Sequence, residues 1–287
     1  MRFVETGLVA RAVGAASSIA RDLGLRVEDV VVVQNSNKLA LRLMPCDVLA
    51  RVAVVGEEVA ALEVTLAQKL GAASAPIASL DARVEPRVHV RDGFAITFWT
   101  YYESVTGTHV PGDYADALRR LHAAMLSVEV EAPHLTKRIA AAEDLVTDRE
   151  QTPALGDADR VLLLDTLHTG RQVLCDTAHG DQLLHGEPHP GNLLSTRSGA
   201  LFIDFETCCL GPIEFDVAHL PDDVSLRYPD VDLSLLQESR RLVLAMVAAW
   251  RWDVRDEFPG GRRQGLDIVN RLRNGPPWPT VGALAVR

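Results

Sequence analysis

Three side chains in the C-terminal half have the types and spacing that phosphoryl transfer requires. Glu187 and Asn192 lie five residues apart between two short apolar runs, and Asp204 lies near the end of the next apolar run, 201–205. A carboxylate can accept or orient the proton of an attacking hydroxyl. An amide oxygen and a second carboxylate are hard ligands suited to Mg²⁺. The pattern therefore predicts metal-assisted transfer of a phosphoryl group.

The residues around these side chains form motifs that resemble those of the aminoglycoside phosphotransferase and choline kinase superfamily. His-Gly-Glu-x-x-x-x-Asn, starting at His185, is similar to the catalytic loop, whose usual form is His-Gly-Asp-x-His-Pro-x-Asn. Ile-Asp-Phe-Glu, residues 203–206, is similar to the metal-binding motif, and 211–218 to the segment that follows it. Glu187 stands where the family usually has Asp, so its carboxylate reaches one methylene further.

The resemblance implies a role for each of these site residues. Glu187 is expected to position or deprotonate the acceptor hydroxyl, and Asn192 and Asp204 are expected to hold Mg²⁺. His185 and Asp216 are expected to support the site structurally, with Asp216 bonding the backbone of the catalytic loop.

The N-terminal half carries less regular counterparts of the family's nucleotide-binding features. The turn 35–37 takes the place of the loop over the phosphates; it has no glycine, but Ser36 and Asn37 can donate to phosphate oxygens. Arg51 stands where the family has a phosphate-contacting Lys, and Arg keeps that charge. Glu63 is expected to orient Arg51. An ordinary hairpin turn and an exposed ion pair are the alternative interpretations.

The segment after the last predicted strand of this half is expected to contact the nucleotide base. It corresponds to the inter-lobe hinge of the family, and its residues are Trp99, Thr100, Tyr101 and Tyr102. The aromatic side chains are equally suited to a place in the core.

Hydrophobic periodicity predicts the elements that position these residues. The first half is predicted to have a helix over 6–23, strands over 29–34, 39–43 and 48–55, a helix over 57–70, and strands over 87–90 and 94–100. The second half is predicted to have helices over 114–126, 135–146, 158–176, 234–252 and 265–272, short strands over 183–184, 193–195 and 201–205, and an irregular tail from 275.

Together with the resemblance, these elements predict an α+β, protein-kinase-like fold of two lobes. The N-terminal nucleotide-binding lobe, an antiparallel sheet plus helix, is expected over 1–103, with the hinge near 98–103. The C-terminal catalytic and substrate-binding lobe, mainly helical, is expected over 104–287.

Charge and composition limit the partners. The chain has 287 residues, with 29 Lys and Arg against 39 Asp and Glu, a net charge of −10 that argues against nucleic-acid binding. Residues 1–103 hold 11 basic and 12 acidic side chains, net −1, so residues 104–287 hold 18 and 27, net −9. Acidity in the acceptor-binding lobe favours a cationic substrate. No apolar run has the length of a membrane span or a leader, so a cytoplasmic protein without a membrane partner is expected.

These observations predict an enzyme, a small-molecule kinase. It would move the γ-phosphoryl group of ATP, or of GTP, to a hydroxyl in the presence of Mg²⁺. A cationic antibiotic of the aminoglycoside or basic-peptide type is the favoured acceptor. A metabolic hydroxyl compound, such as a sugar, a choline-like alcohol or an amino-acid derivative, is the first alternative. A nucleotide-binding pseudokinase or interaction protein is the second, and the oligomeric state is left open.

Overall fold

The computed structural model describes residues 6–36, 38–54, 59–105, 109–176 and 180–284. Asn37, one of the predicted phosphate contacts, lies outside these residues. The described residues form two units. The first comprises those within Met1–Gly107 and Leu194–Glu206, and the second those within Thr108–Leu193 and Thr207–Arg287. The segment 194–206, which carries Asp204, therefore packs with the first unit, and the predicted lobes at 103/104 stay a prediction.

A five-stranded antiparallel sheet forms the centre of the described part of the first unit, with strand order β1-β2-β3-β5-β4. Its strands are β1 (Val27–Asn35), β2 (Leu39–Pro45), β3 (Val48–Val54), β4 (His89–Arg91) and β5 (Phe94–Thr100). Helix α1 (Thr6–Asp22) precedes the sheet, and helix α2 (Val59–Ala72) follows β3. The predicted α+β class, with a sheet and one inserted helix in the N-terminal part, is confirmed.

Alternation along β2 and β3 separates a core face of the sheet from a polar face. Buried Leu39, Leu41 and Leu43 pair with buried residues of β3 and pack with the alanine-rich face of α1. Because successive side chains point to opposite faces, Ala40 and its partner Arg51 lie on the other face. Arg51 is thus placed in a central strand, on the face that the apolar core does not use.

Helices make up most of the second unit. They are α3 (Pro111–Met125), α4 (Leu135–Thr147), α5 (Asp157–Asp176), α6 (Ile213–Val217), α7 (Asp222–Ser225), α8 (Leu233–Trp252), α9 (Gly261–Asn274) and α10 (Val281–Leu284). A Cβ on Gly170 of α5 would lie 3.0 Å from Cδ1 of Leu242, so this glycine permits the close approach of α5 and α8. The mainly helical C-terminal part is confirmed, whereas the irregular tail is wrong in detail because α10 forms within it.

The short strands of the C-terminal half form two pairs. Strand β6 (Gln182–Leu184) pairs antiparallel with β9 (Cys209–Gly211), and β7 (Leu193–Thr196) pairs with β8 (Gly199–Phe202). Strand β9 was not predicted, and β8 ends three residues before the predicted strand does. In the described part of the chain, no helix has both the length and the apolar character needed to cross a membrane.

Candidate active site

Asp216 holds the backbone of the loop that follows β6. Its Oδ2 accepts a hydrogen bond from the backbone N–H of His185 at 2.9 Å, and its Oδ1 accepts one from Gly186 at 2.8 Å. The ring Nε2 of His122, on α3, lies 2.9 Å from Oδ2. Burial opposes ionisation of this carboxylate, but the hydrogen bond and charge of His122 outweigh it and lower the pKa of Asp216. The loop is therefore tied to α6 by a buried, ionised side chain.

Gly186 can be replaced by no other residue without rearrangement of the loop. Its φ is +89°, in the left-handed region that favours glycine. A Cβ at this position would lie 2.0 Å from the carbonyl oxygen of Thr207. The glycine thus lets the loop pass against the chain before β9, and this approach directs the next residue, Glu187.

Arg138, on α4, holds the carboxylate of Glu187. Its Nη2 donates to Oε1 of Glu187 at 2.5 Å, and its Nη1 donates to the carbonyl oxygen of Gly186 at 3.1 Å. The guanidinium carbon lies 5.7 Å from the ring centroid of Phe215 and 5.8 Å from that of Trp250, within the range of cation–π attraction. The carboxylate is therefore fixed in direction by a side chain that itself lies against two aromatic rings.

Hydrogen bonds within the loop orient Asn192. The Nδ2 amide of Asn192 donates to the carbonyl oxygen of Glu187 at 3.0 Å. The backbone N–H of Asn192 donates to the carbonyl oxygen of His189 at 2.9 Å. Because the amide nitrogen is used in this way, Oδ1 points to the other side and is left as the acceptor. Residues 190–192 form a single 3₁₀ turn that presents this side chain.

A network of opposite charges lies on the polar face of the sheet in the first unit. Arg51 donates from Nη1 to Oε1 of Glu63 at 2.7 Å and from Nη2 to Oδ1 of Asp204 at 2.8 Å. Glu63 is buried on α2. Asp204 has a φ of 68°, an uncommon conformation for a residue with a side chain and one that concentrates at functional sites. The structure thus brings together three residues that the sequence analysis placed in the nucleotide and metal sites.

Lys38 and Glu206 complete this network. Nζ of Lys38 lies 2.5 Å from Oε2 of Glu63 and 3.0 Å from Oε1 of Glu206, and its side chain is only 7% exposed. Nη2 of Arg51 lies 3.5 Å from the same oxygen of Glu206. We name these five side chains the charge cluster: Lys38, Arg51, Glu63, Asp204 and Glu206.

Ionisation within the charge cluster is uneven. Burial opposes the charge of Asp204, but the positive charge of Arg51 outweighs it and lowers the pKa of Asp204. Burial and then the charge of Asp204 raise the pKa of Glu206 to about 7, which Lys38 partly offsets. Although burial disfavours the cation, the carboxylates of Glu63 and Asp204 raise the pKa of Arg51. Asp204 is thus kept ionised, the state in which a carboxylate can bind a metal ion.

The predicted base-contacting residues, 99–102, have mixed environments. Trp99 is buried, and its ring N–H donates to Thr97 at 2.8 Å, so its ring belongs to the core. The backbone N–H of Thr100 donates to Ser79 at 2.9 Å. The guanidinium carbon of Arg42 lies 4.0 Å from the ring centroid of Tyr101. The hydroxyl of Tyr102 accepts a hydrogen bond from the backbone N–H of Ser79 at 3.4 Å.

Ser36 lies in a tight turn next to the charge cluster. Its N–H donates to the carbonyl oxygen of Lys38 at 3.1 Å, and its hydroxyl accepts from Gln34 at 3.3 Å. His185 is fully buried, and its Nδ1 accepts from the N–H of Glu187 at 3.4 Å.

Sequence reasoning missed Lys38 and Arg138. The register of the hairpin could have indicated that Lys38 lies near Arg51, because Lys38 precedes Ala40 by two residues and Ala40 pairs with Arg51. Arg138 lies 49 residues before Glu187, on an amphipathic helix, and no local pattern marks it. Among the described residues, no group of three or more His, Cys, Asp or Glu side chains is arranged to hold a metal ion.

Several solved structures have a fold similar to that of this chain. The chain is similar to amicoumacin kinase hAmiN in complex with AMP-PNP, Ca²⁺ and Ami, with a TM-score of 0.73, 12% identity, and coverage of 98% of this chain and 100% of that one. It is similar to the GDP and kanamycin complex of APH(2")-IIIa, with a TM-score of 0.66, 14% identity and coverage of 90% and 98%. It is also similar to choline kinase LicA from Streptococcus pneumoniae, with a TM-score of 0.65, 14% identity and coverage of 95% and 99%.

These likenesses confirm the kinase-like fold. No curated protein sequence matches the chain. A family model does: that of APH, the phosphotransferase enzyme family, which matches residues 22–252, more than half of the chain. The chain therefore belongs to the APH phosphotransferase enzyme family and is a kinase that acts on a small-molecule hydroxyl.

Proposed function

We propose that this enzyme transfers the γ-phosphoryl group of ATP to a hydroxyl of a cationic small molecule, with Mg²⁺ as cofactor. The observation that carries the proposal is the fixed direction of the Glu187 carboxylate, held by Arg138 on a loop tied to Asp216. A carboxylate held in this way is preorganised to receive a proton, and such positioning is a large part of catalysis in phosphoryl transfer.

The reaction moves one proton and one phosphoryl group. The acceptor hydroxyl oxygen forms a bond to the γ-phosphorus, the bond from that phosphorus to the bridging oxygen breaks, and ADP leaves. The hydroxyl proton passes to Oε2 of Glu187, because Oε1 accepts from Arg138. Arg138 is a positioning residue in this scheme, and Glu187 is the catalytic base.

The chemistry of two side chains supports Mg²⁺ as the cofactor. Asp204 is kept ionised by Arg51, and the amide of Asn192 uses its nitrogen within the loop so that its oxygen can bind a cation. We assign both as ligands, each on the contacts within its own unit. When bound, Mg²⁺ neutralises charge on the nucleotide phosphates, and it takes only a few protein oxygens because it keeps water and phosphate ligands.

The nucleotide is proposed to bind to the first unit. Arg51 provides a guanidinium fixed by Glu63 and Asp204, a group well suited to phosphate. Ser36 provides a hydroxyl in the turn beside it. The exposed parts of residues 100–102 are proposed to contact the base of ATP, and GTP is the alternative donor.

The acceptor that we favour is a cationic antibiotic of the aminoglycoside or basic-peptide type. Residues 104–287, which include Glu187, carry a net charge of −9, and an acidic surface attracts cations. A metabolic hydroxyl compound is the second candidate, since the TM-score to a choline kinase, 0.65, is close to that to an aminoglycoside phosphotransferase, 0.66.

The test is a product search. The purified chain is incubated with MgATP or MgGTP and a mixed library of hydroxyl-bearing acceptors, and mass spectrometry identifies any product that gains a phosphate. In parallel, a bacterial host that expresses the chain is grown on a panel of cationic antibiotics. A phosphorylated antibiotic and raised resistance support the favoured acceptor; a product formed only from a metabolic alcohol refutes it.

Two variants test whether Glu187 acts as the base. Glu187→Gln keeps the shape of the side chain and removes the proton acceptor, so kcat is expected to fall by about 10²–10⁴-fold with ATP affinity unchanged. Glu257→Gln removes an exposed carboxylate of the same unit and is expected to leave kcat unchanged. An unchanged kcat in Glu187→Gln would refute the assignment of the base.

A further inference from the structure

We propose that Lys38 is a second phosphate-contacting cation, so that the nucleotide phosphates are bound by a lysine immediately before β2 together with Arg51. This inference rests on the proposed function, and it adds a residue that the spacing of the sequence motifs does not indicate. All the side chains that contact Lys38 and Arg51 in the charge cluster lie in the first unit.

The position of Lys38 places its ammonium on the polar face of the sheet. Lys38 lies immediately before β2, and its ammonium binds the same buried carboxylate, Glu63, as Arg51, which pairs with Ala40 across the hairpin. Lys38 also closes the turn whose other side is Ser36, through the bond from the N–H of Ser36 to the carbonyl oxygen of Lys38. The two cations therefore belong to one surface of the unit, and the turn that contains Ser36 lies beside it.

Glu63 organises both cations. One of its oxygens, Oε1, accepts from Arg51 at 2.7 Å, and the other, Oε2, accepts from Lys38 at 2.5 Å. A single buried carboxylate between two cations offsets their repulsion and fixes their separation. This is the arrangement needed to present two positive charges to neighbouring phosphate groups.

The two cations differ in what they can reach. Both Nη atoms of Arg51 are used, one by Glu63 and one by Asp204, so the guanidinium is a rigid part of the cluster. Lys38 carries a compact ammonium with three donors on a flexible stem, and the structure shows carboxylate partners for two of them, Glu63 and Glu206. Lys38 is thus the cation better able to follow a phosphate oxygen.

Stability alone is a poor explanation for this cluster. A lysine is rarely buried, and taking ions out of water cancels much of what their attraction contributes. Apolar side chains would fill the same space at lower cost in free energy. Two largely buried cations with three carboxylates are better explained by recognition of a ligand that carries its own charge, and phosphates with their metal are such a ligand.

The experiment compares ligands with and without phosphates. Binding of ATP, ADP and adenosine to the full chain is measured by calorimetry, with adenosine also measured by competition against a fluorescent ADP analogue. In Lys38→Met, affinity for ATP and ADP is expected to fall by roughly 10- to 100-fold, the effect of one charge-assisted hydrogen bond, while affinity for adenosine stays within about twofold. Lys38→Arg is expected to retain part of the affinity.

Two controls keep the result interpretable if the unpaired carboxylates destabilise the fold. Lys69→Met removes an exposed lysine of α2 and is expected to change no affinity. Lys38→Met/Glu206→Gln removes a cation and an anion together, is compared with Glu206→Gln alone, and has its thermal unfolding measured. Weak ATP binding by the folded double variant, relative to Glu206→Gln, supports the contact.

Two outcomes would overturn the inference. One is an equal loss of ATP and adenosine affinity in Lys38→Met, and the other is full recovery of ATP affinity in the double variant. Failure of the proposed function is a different result, because the unaltered chain would then bind neither ATP nor GTP or would transfer no phosphoryl group.

Discussion

The guanidinium of Arg138 donates to the Glu187 carboxylate at 2.5 Å and to the carbonyl oxygen of the preceding Gly186 at 3.1 Å. One side chain of α4 thus fixes both the backbone of the loop that follows β6 and the carboxylate that the loop presents. The longer side chain of Glu187, in a family whose usual residue is Asp, is matched here by a partner that holds its end.

Arg138 is expected to affect turnover more than nucleotide binding. In Arg138→Met the carboxylate loses its fixed direction, so kcat is expected to fall by about 10- to 100-fold with the KM for ATP nearly unchanged. Arg138→Lys should restore part of kcat. The control is Arg149→Met, which breaks an exposed pair with Asp157. A large rise in the KM for ATP, or no loss of kcat, would contradict the positioning role.

Shortening Glu187, the proposed base, is expected to lower kcat, although it restores the usual residue of the family. In Glu187→Asp the carboxylate retracts by one methylene from Arg138, and a shift of this size costs about 10-fold or more in kcat. Steady-state kinetics with saturating MgATP measure the change. An activity equal to or above that of the unaltered chain would show that the loop does not depend on the longer side chain.

Gly186→Ala is expected to destabilise the second unit and abolish turnover. The new Cβ meets the carbonyl oxygen of Thr207, and φ at this position is +89°. The expected loss in the free energy of unfolding is about 2–4 kcal/mol, measured by denaturant titration. The control is Gly112→Ala on α3, where an added Cβ would meet nothing within 4 Å. Equal stability of the two variants would contradict the close approach.

His219 is expected to make the fold less stable in mild acid. Burial lowers the pKa of His219 from 6.5 to about 4, against the opposing charges of Glu187 and Asp216. Between these two values the unfolded chain binds more protons than the folded one, so stability falls as the pH is lowered. The shift corresponds to roughly 2–3 kcal/mol between pH 7 and 4.

The measurement for His219 is the slope of unfolding free energy against pH. His219→Gln should flatten the curve between pH 6.5 and 4, and His168→Gln, which replaces an exposed histidine, should leave it unchanged. A curve for His219→Gln that is parallel to that of the unaltered chain would refute the neutral state of this ring in the folded protein.

Local patterns predicted the fold well because most elements here follow their own periodicity. The valine- and leucine-rich runs became β1 to β3, and the amphipathic run at 234–252 became α8, Leu233–Trp252. Short elements were harder. Strand β9, Cys209–Gly211, is three residues long and forms because β6 lies beside it, a pairing that no local signal encodes. Helix α10 in the proline-rich tail is equally hard to foresee, since it spans a single turn.

The residues of the candidate site also differ in how well the sequence predicts them. Residues within one motif, such as Glu187 and Asn192, could be found because the chemistry and the spacing are both local. Arg138 could not, since it reaches Glu187 from 49 residues earlier in the chain. Lys38 was missed although the register of the hairpin places it near Arg51. The partner of Arg51 was predicted as Glu63, yet its second partner, Asp204, lies 153 residues away.

The path of the chain through the two units has a consequence for dissecting the protein. Residues 194–206 return to the first unit and bring Asp204 and Glu206 to the charge cluster. A fragment ending at residue 107 would keep both cations but only one of their three carboxylates. The first unit is therefore not encoded by one continuous stretch: it is completed by a segment encoded some ninety codons downstream, so truncation, fusion or circular permutation must include that segment.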